Sequence, residues 1–194
     1  MKTHLLAAVI ILLTGAFTTV NAAPYGSVAR ANTPPALLKE GIGKLTTFIK
    51  SGKAASREQA MDYLKHEISP YFDFTYMTRW AAGPAWRRMD PGQRARMQAQ
   101  LTQSFLITLA QKLTSYSNQP IRYFTPRGRS GEEVTVSAWI MQPSGYPTKL
   151  DFRFYPGKSG WKIFDVKANG TSAVVYYRKQ FRDNLRYNRY ARNY

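Results

Sequence analysis

Histidine, cysteine and carboxylate side chains limit what chemistry this chain can do, and they are few. Beyond residue 22 there is one histidine, His66, and the chain has no cysteine at all. A thiolate nucleophile, a disulfide framework and a zinc site of His/Cys type are therefore excluded. A Ser-His-Asp triad would have to use His66, yet no Gly-x-Ser-x-Gly presents a serine. His66 stands between Lys65 and Glu67 on an amphipathic segment and reads as a surface residue. A carboxylate pair for acid–base work remains in principle. Asp90 precedes Pro91 and reads as a helix cap, while Asp151 alternates with apolar residues and should face outward. Asp73 and Asp165 are less easily dismissed, because they sit inside aromatic or apolar runs. Each has a structural role open to it, accepting backbone N–H groups or pairing with an arginine such as Arg79 or Arg178. No Walker loop or Gly-x-Gly-x-x-Gly is present. These residues point to a binder rather than an enzyme, with no catalytic residue, metal ligand or cofactor assigned.

What the chain could bind is suggested by Pro70 to Trp86, PYFDFTYMTRWAAGPAW. Six of its seventeen residues are aromatic: Tyr71, Phe72, Phe74, Tyr76, Trp80 and Trp86. Such a segment either fills a core or lines an apolar cavity.

The elements that must position these residues follow from spacing and caps. Ala36 to Lys50 has apolar residues at helical spacing. Ser56, with Gln59 three residues on, starts a second helix that Pro70 limits. Phe74 to Ala82 can form a short helix stopped by Gly83-Pro84. Asp90-Pro91-x-Gln93 is a strong start for the longest helix, about Pro91 to Tyr116, whose apolar face carries Leu101, Phe105 and Leu109. After Asn118 the period falls to two. Pro120–Thr125, Glu133–Met141, Thr148–Tyr155 and Trp161–Val166 read as four antiparallel strands, joined by turns rich in Pro, Gly and Ser. A last helix is expected over about Ser172–Leu185. The fold class is then α+β: a four-stranded twisted antiparallel sheet covered on one face by helices.

Two bulk features bear on location and partners. Residues 1–22 have a Lys2 n-region, an apolar stretch from Leu5 to Phe17 and a Val20-Asn21-Ala22 cleavage site, the pattern of a signal peptide cleaved near Ala22. Export to a periplasm is expected, with residues 23–35 a flexible lead-in, 36–185 the domain and 186–194 a basic-aromatic tail. Removing residues 1–22 takes away only Lys2, leaving 27 Lys and Arg against 11 Asp and Glu, a net charge of +16. Outside the cytoplasm such a charge favours anionic lipid surfaces, anionic ligands and acidic partner proteins rather than nucleic acid.

Two blocks of residues then stand together. One is Pro70-Tyr-Phe-Asp-Phe-x-x-Met77, with Ala81-x-Gly83-x-x-Trp86-Arg87 and Pro91-x-Gln93-Arg94 after it. The other is Trp161-Lys-Ile-Phe-Asp-Val166, with Gly170-x-Ser172 and Tyr177-Arg178-x-Gln180-Phe181 after it. This pairing and order resembles the MlaC family, also called the toluene-tolerance auxiliary family, over about residues 36–185. Thr171-Ser172-Ala173 departs from the Val-Ser-Leu often found there, and so does the basic-aromatic tail. The resemblance implies a periplasmic phospholipid carrier whose acyl chains enter a hydrophobic cavity between sheet and helices. Its implied partners are an outer-membrane lipoprotein complex and an inner-membrane ABC transporter with an MCE-domain subunit, in a system that maintains outer-membrane lipid asymmetry. Contact with the membrane surface would be transient.

The physics of carrying lipid agrees with these residues. Each buried methylene is worth about 0.8 kcal/mol, so a sixteen-carbon chain costs about 12 kcal/mol to expose. Aromatic and aliphatic walls shelter it without unpaired polar groups. The lipid-binding candidates are Phe72, Phe74, Met77, Trp80, Leu101, Phe105, Leu109, Val136, Ala138, Leu150, Phe152 and Phe154, with Ala138 leaving room between larger neighbours. Arg79 and Arg178 are candidates for the headgroup. Two other readings stay open at the level of sequence: a cavity protein for another apolar ligand such as a hopanoid-like lipid or acting as a hydrolase, and a polyanion-binding surface module.

Overall fold

The structure, a computed structural model, describes residues 32–114, 116, 118–129 and 131–190, with side chains described as far as residue 183. The signal-peptide expectation, most of the lead-in and the last four residues of the tail lie outside these residues.

The second, third and fourth helices begin at side-chain caps, and the first at a pair of prolines. α1 (Pro34–Lys50) takes two residues of the expected lead-in, because the prolines suit a first turn that needs no N–H donor. Ser56 Oγ accepts the Gln59 N–H at 3.3 Å and starts α2 (Arg57–Tyr63). A π-helical turn (Leu64–Ile68) and a 3-10 turn (Ser69–Tyr71) follow, and Pro70 in the second prevents a regular α-helix from continuing. Asp73 caps α3 (Phe74–Ala82), accepting the Tyr76 N–H at 2.8 Å. Gly83 ends α3 at φ +57° and ψ −136°, a region L side chains avoid, and turns the chain into a 3-10 segment (Gly83–Arg88). α4 (Pro91–Leu113) opens on a full capping box, with Asp90 accepting the Gln93 N–H at 2.8 Å and Gln93 accepting the Asp90 N–H at 3.1 Å.

Among the described residues six strands form one antiparallel sheet, where four were expected. β1 (Ile121–Tyr123), β3 (Val134–Ile140), β4 (Thr148–Gly157) and β5 (Gly160–Ala168) are the four expected ones. β2 (Arg127–Gly128) and β6 (Thr171–Ser172) are two-residue additions too short for alternation to reveal. β1 and β2 pair with the same edge of β3, interrupted near Pro126, which has no N–H for the ladder. α5 (Ala173–Tyr190) runs five residues past the expected end, so the backbone of the tail is helical as far as Tyr190.

The apolar residues separate into two cores. Val134, Val136 and Ala138 lie opposite Phe154, Phe152 and Leu150 on one sheet face, where α1 covers them with Leu38. The second core joins α2, α3, α4 and α5 to Phe164 and Tyr155. A bulge allows this: Ile163 pairs with Phe154 and Asp165 with Arg153, leaving Phe164 as the extra residue. Helices therefore reach both faces along β4 and β5, a finding beyond the one covered face expected. Phe72 packs against both cores, and its backbone bridges to Ile163.

The buried tyrosines give the fold an alkaline limit. Burial, then the nearby Tyr176, pushes the Tyr177 hydroxyl up to about 12. Burial and a 2.6 Å hydrogen bond to Glu40 do the same for Tyr71. These groups stay protonated in the fold after the unfolded chain has begun to lose the same protons near pH 10. Their stabilisation is full below about pH 10 and is lost as pH rises toward about 12. Thermal melts should fall steeply in that window, and Tyr177→Phe should make the fall shallower. An unchanged slope would remove Tyr177 from this account.

Candidate functional site

Two clefts flank α3, one at each end. The cleft at its C-terminal end has a volume of about 580 Å³. Tyr76, Arg79 and Trp80 of α3 form one side, Gly83, Pro84, Trp86 and Arg87 of the following turn another, and Arg178 of α5 closes it. The Arg178 guanidinium donates to the Trp80 carbonyl at 2.7 Å, tying α5 to the end of α3. Both tryptophans carry a further guanidinium. Arg153 lies 5.9 Å from the Trp80 ring centroid, and Arg94 lies 5.2 Å from that of Trp86. Arg94 Nε also donates to the Trp86 carbonyl at 3.1 Å. Among the described residues no carboxylate lines this cleft.

The second cleft, about 620 Å³, lies where the N-terminal end of α3 meets the β4–β5 hairpin. Phe72, Phe74 and Tyr155 give it apolar walls, and Asp73, Gln98, Lys158 and Lys162 are among its polar residues. Phe72, Phe74 and Phe105 form a ring cluster with centroids 5.0–5.6 Å apart. Lys162 Nζ donates to the Pro70 carbonyl at 2.7 Å and holds the hairpin to the helical side. The Tyr155 hydroxyl donates to the Asp73 carboxylate. Burial and this acceptor both raise the Tyr155 pKa, so it is a neutral donor. Tyr76 stacks on Tyr155 at 4.2 Å, and the two rings line one cleft each.

The structure thus brings the expected residues together in two groups. Phe72 and Phe74 line the hairpin cleft, while Arg79, Trp80 and Arg178 share the arginine cleft. Phe105 and Leu109 pack against the helical core. Met77 and Leu101 are fully buried in that core, and Val136, Ala138 and Phe154 in the sheet core. Ala138 is fully buried between these neighbours. Phe152 packs against the sheet core, and Leu150 is half-buried.

Asp73 and Asp165 take the structural roles open to them: each accepts a backbone N–H as expected, and only the arginine differs from those named. Asp165 is fully buried and accepts Ser172 Oγ at 2.8 and 2.9 Å and the Val174 N–H at 3.1 Å. Its arginine is Arg153, at 3.5 Å, rather than Arg178, because β4–β5 register places Arg153 opposite it. Among the described residues neither Arg79 nor Arg87 has an ion-pair partner. His66 is exposed and pairs with Asp62 one turn away, at 3.2 Å. Among the described residues no group of His, Cys, Asp or Glu could hold a metal ion.

Sequence reasoning missed Tyr76, Trp86, Arg87, Arg153 and Tyr155 as site residues. Trp86 and Arg87 stand in the first block that carries the family resemblance. Arg153 alternates with Phe152 and Phe154, which reads as an outward residue until the register is known.

Most of the chain matches one protein family, described as MlaC protein, over residues 39–192. The intermembrane phospholipid transport system binding protein MlaC of Haemophilus influenzae is 25% identical over 150 residues, spanning 73% of this chain and 70% of that protein. A solved structure of the phospholipid-binding protein from Ralstonia solanacearum, in complex with a phospholipid, has a TM-score of 0.69. It is 27% identical, and the match covers 76% of this chain and 84% of that one.

Proposed function

The chain belongs to the MlaC family, and from that premise we propose how it works as a periplasmic carrier of phospholipid between two membranes. Its task is to shelter acyl chains, which needs apolar walls and no covalent step. The observation that carries the reading is the seam at Phe72, the residue that packs against both cores and lines the hairpin cleft. Acyl chains enter there, past Phe74 and Phe105, and part the helical core from the sheet core. The remaining apolar candidates, from Met77 and Leu101 to Val136 and Phe152, form the surfaces that the chains then touch. Phe72 is a half-buried residue that touches both cores at once, which makes it the point where a hydrocarbon chain can reach the two together. Dispersion lost between protein side chains is replaced by contact with hydrocarbon.

Because bilayer and seam are similarly apolar, moving lipid between them is nearly balanced. Direction then comes from docking partners. We assign these roles to an outer-membrane lipoprotein complex and an inner-membrane ABC transporter with an MCE-domain subunit. The net charge of +16 left after residues 1–22 suits brief contact with anionic membrane surfaces. Among the described residues no helix is long and apolar enough to cross a membrane. Fluorescent phospholipid should pass from donor to acceptor vesicles faster when the chain is added in substoichiometric amount. No acceleration over spontaneous exchange would contradict the carrier role.

A further inference from the structure

The arginine cleft has a chemistry that sheltering acyl chains does not use. Arg79, Arg87 and Arg178 converge on it, and Arg94 and Arg153 stand behind its two tryptophans. Among the described residues, Arg153 alone of these five has carboxylate partners, Glu133 at 2.8 Å and Asp165 at 3.5 Å. Arg178 is fixed through the Trp80 carbonyl, a neutral acceptor that leaves its charge uncompensated. Gly83, in a backbone conformation that needs glycine, folds Trp86 and Arg87 back toward Trp80. A concave site with uncompensated guanidinium groups and no carboxylate in its lining selects oxyanions, and above all phosphate.

Position ties this cleft to the lipid. α3 has nine residues, so its two ends are about 13 Å apart. The hairpin cleft is at one end and the arginine cleft at the other, and the stacked Tyr76 and Tyr155 rings line one cleft each. Resting on the phospholipid reading above, we propose that the arginine cleft holds the phosphate of the bound lipid and selects lipids of net negative charge. A zwitterionic headgroup brings an ammonium into the same field, where it meets guanidinium groups and no carboxylate. A headgroup with a neutral polar substituent brings only the phosphate. Trp80 and Trp86 wall the site with flat, partly apolar surfaces. The carrier therefore discriminates among lipids at the headgroup, while the seam at Phe72 accepts any hydrocarbon chain.

The test offers the full chain vesicles with equal amounts of phosphatidylglycerol and phosphatidylethanolamine. The protein is then re-isolated, and the lipid it holds is extracted and quantified by mass spectrometry. The wild type should be enriched in phosphatidylglycerol by about fivefold, the factor expected for one net cationic contact. Raising the salt should reduce the enrichment. The Arg79→Gln/Arg87→Gln protein, checked for native circular dichroism, should return the vesicle ratio because its phosphatidylglycerol is lost selectively. Equal uptake of both lipids by the wild type, an unchanged ratio in the variant, or equal loss of both lipids would overturn the headgroup assignment. If the wild type holds neither lipid, the phospholipid reading fails instead. A separate titration of lipid-free protein with inorganic phosphate, followed by tryptophan fluorescence, distinguishes the source of the anion. Saturable tight binding of phosphate alone would make this a free-anion site and overturn the lipid assignment, and a weak response without saturation supports it.

Discussion

Replacing Asp165 by alanine is expected to lower the unfolding free energy by about 3–5 kcal/mol, the cost of breaking a buried pair by removing one partner. Asp165 is fully covered and works in three directions at once. It accepts the Ser172 hydroxyl, accepts the Val174 N–H in the first turn of α5, and faces the Arg153 guanidinium. Ser172 Oγ in turn accepts the Val175 N–H at 3.2 Å. The carboxylate therefore satisfies the start of α5 and fixes that helix to β5. Alanine leaves the Val174 N–H unpaired and the Ser172 O–H without its acceptor, and it strips from the Arg153 guanidinium beside Phe164 one of its two carboxylates, leaving only Glu133. Asparagine keeps an acceptor and should cost less. Urea denaturation of the three proteins checks this. A loss below about 1 kcal/mol for alanine, the scale of an ordinary exposed pair, would mean that α5 is anchored elsewhere. The effect reaches function as well, because α5 carries Arg178 into the arginine cleft.

Phe72→Glu should remove bound phospholipid almost completely while leaving the secondary structure in place. Phe72 is only half-buried, so the free protein can turn a carboxylate there toward the hairpin cleft and water. With acyl chains in the seam that escape closes, and the carboxylate must be buried or the chains excluded. Burying an unpaired ion costs several kcal/mol, and each 1.4 kcal/mol is tenfold in affinity, so occupancy should drop by at least about a hundredfold. Phe72→Leu keeps the wall apolar and should retain lipid. If Phe72→Glu folds and still carries lipid at the wild-type level, the chains enter elsewhere.

The legible parts of this fold were those that depend on neighbours in sequence. Asp90-Pro91-x-Gln93 announced α4 because every partner in a capping box lies within four residues. The strict alternation of Val134, Val136 and Ala138 fixed β3 and its inward face. What was hidden depends on register and layer geometry. The bulge at Phe164 shifts one residue of β5, and with it the faces of Phe164 and Asp165, without a glycine or proline to mark it. Arg153 looked solvent-facing for the same reason, although helices cover that side of β4. The candidate lining set mixed walls with filling. Phe72 and Met77 are both apolar members of one aromatic run, yet one lies at the seam and the other is wholly enclosed. Periodicity assigns a face, but only the packed structure tells an open face from a closed one. The arginine cleft joins residues about a hundred positions apart, Arg79 and Arg178, and no local pattern brings those together.

The most direct test of the account is native mass spectrometry of the chain after incubation with phospholipid vesicles and separation from them. The account predicts a species heavier by one intact phospholipid in the wild type and in Phe72→Leu, absent in Phe72→Glu. A wild-type protein that emerges at the mass of the bare chain, or that carries lipid equally with a carboxylate at position 72, would contradict it.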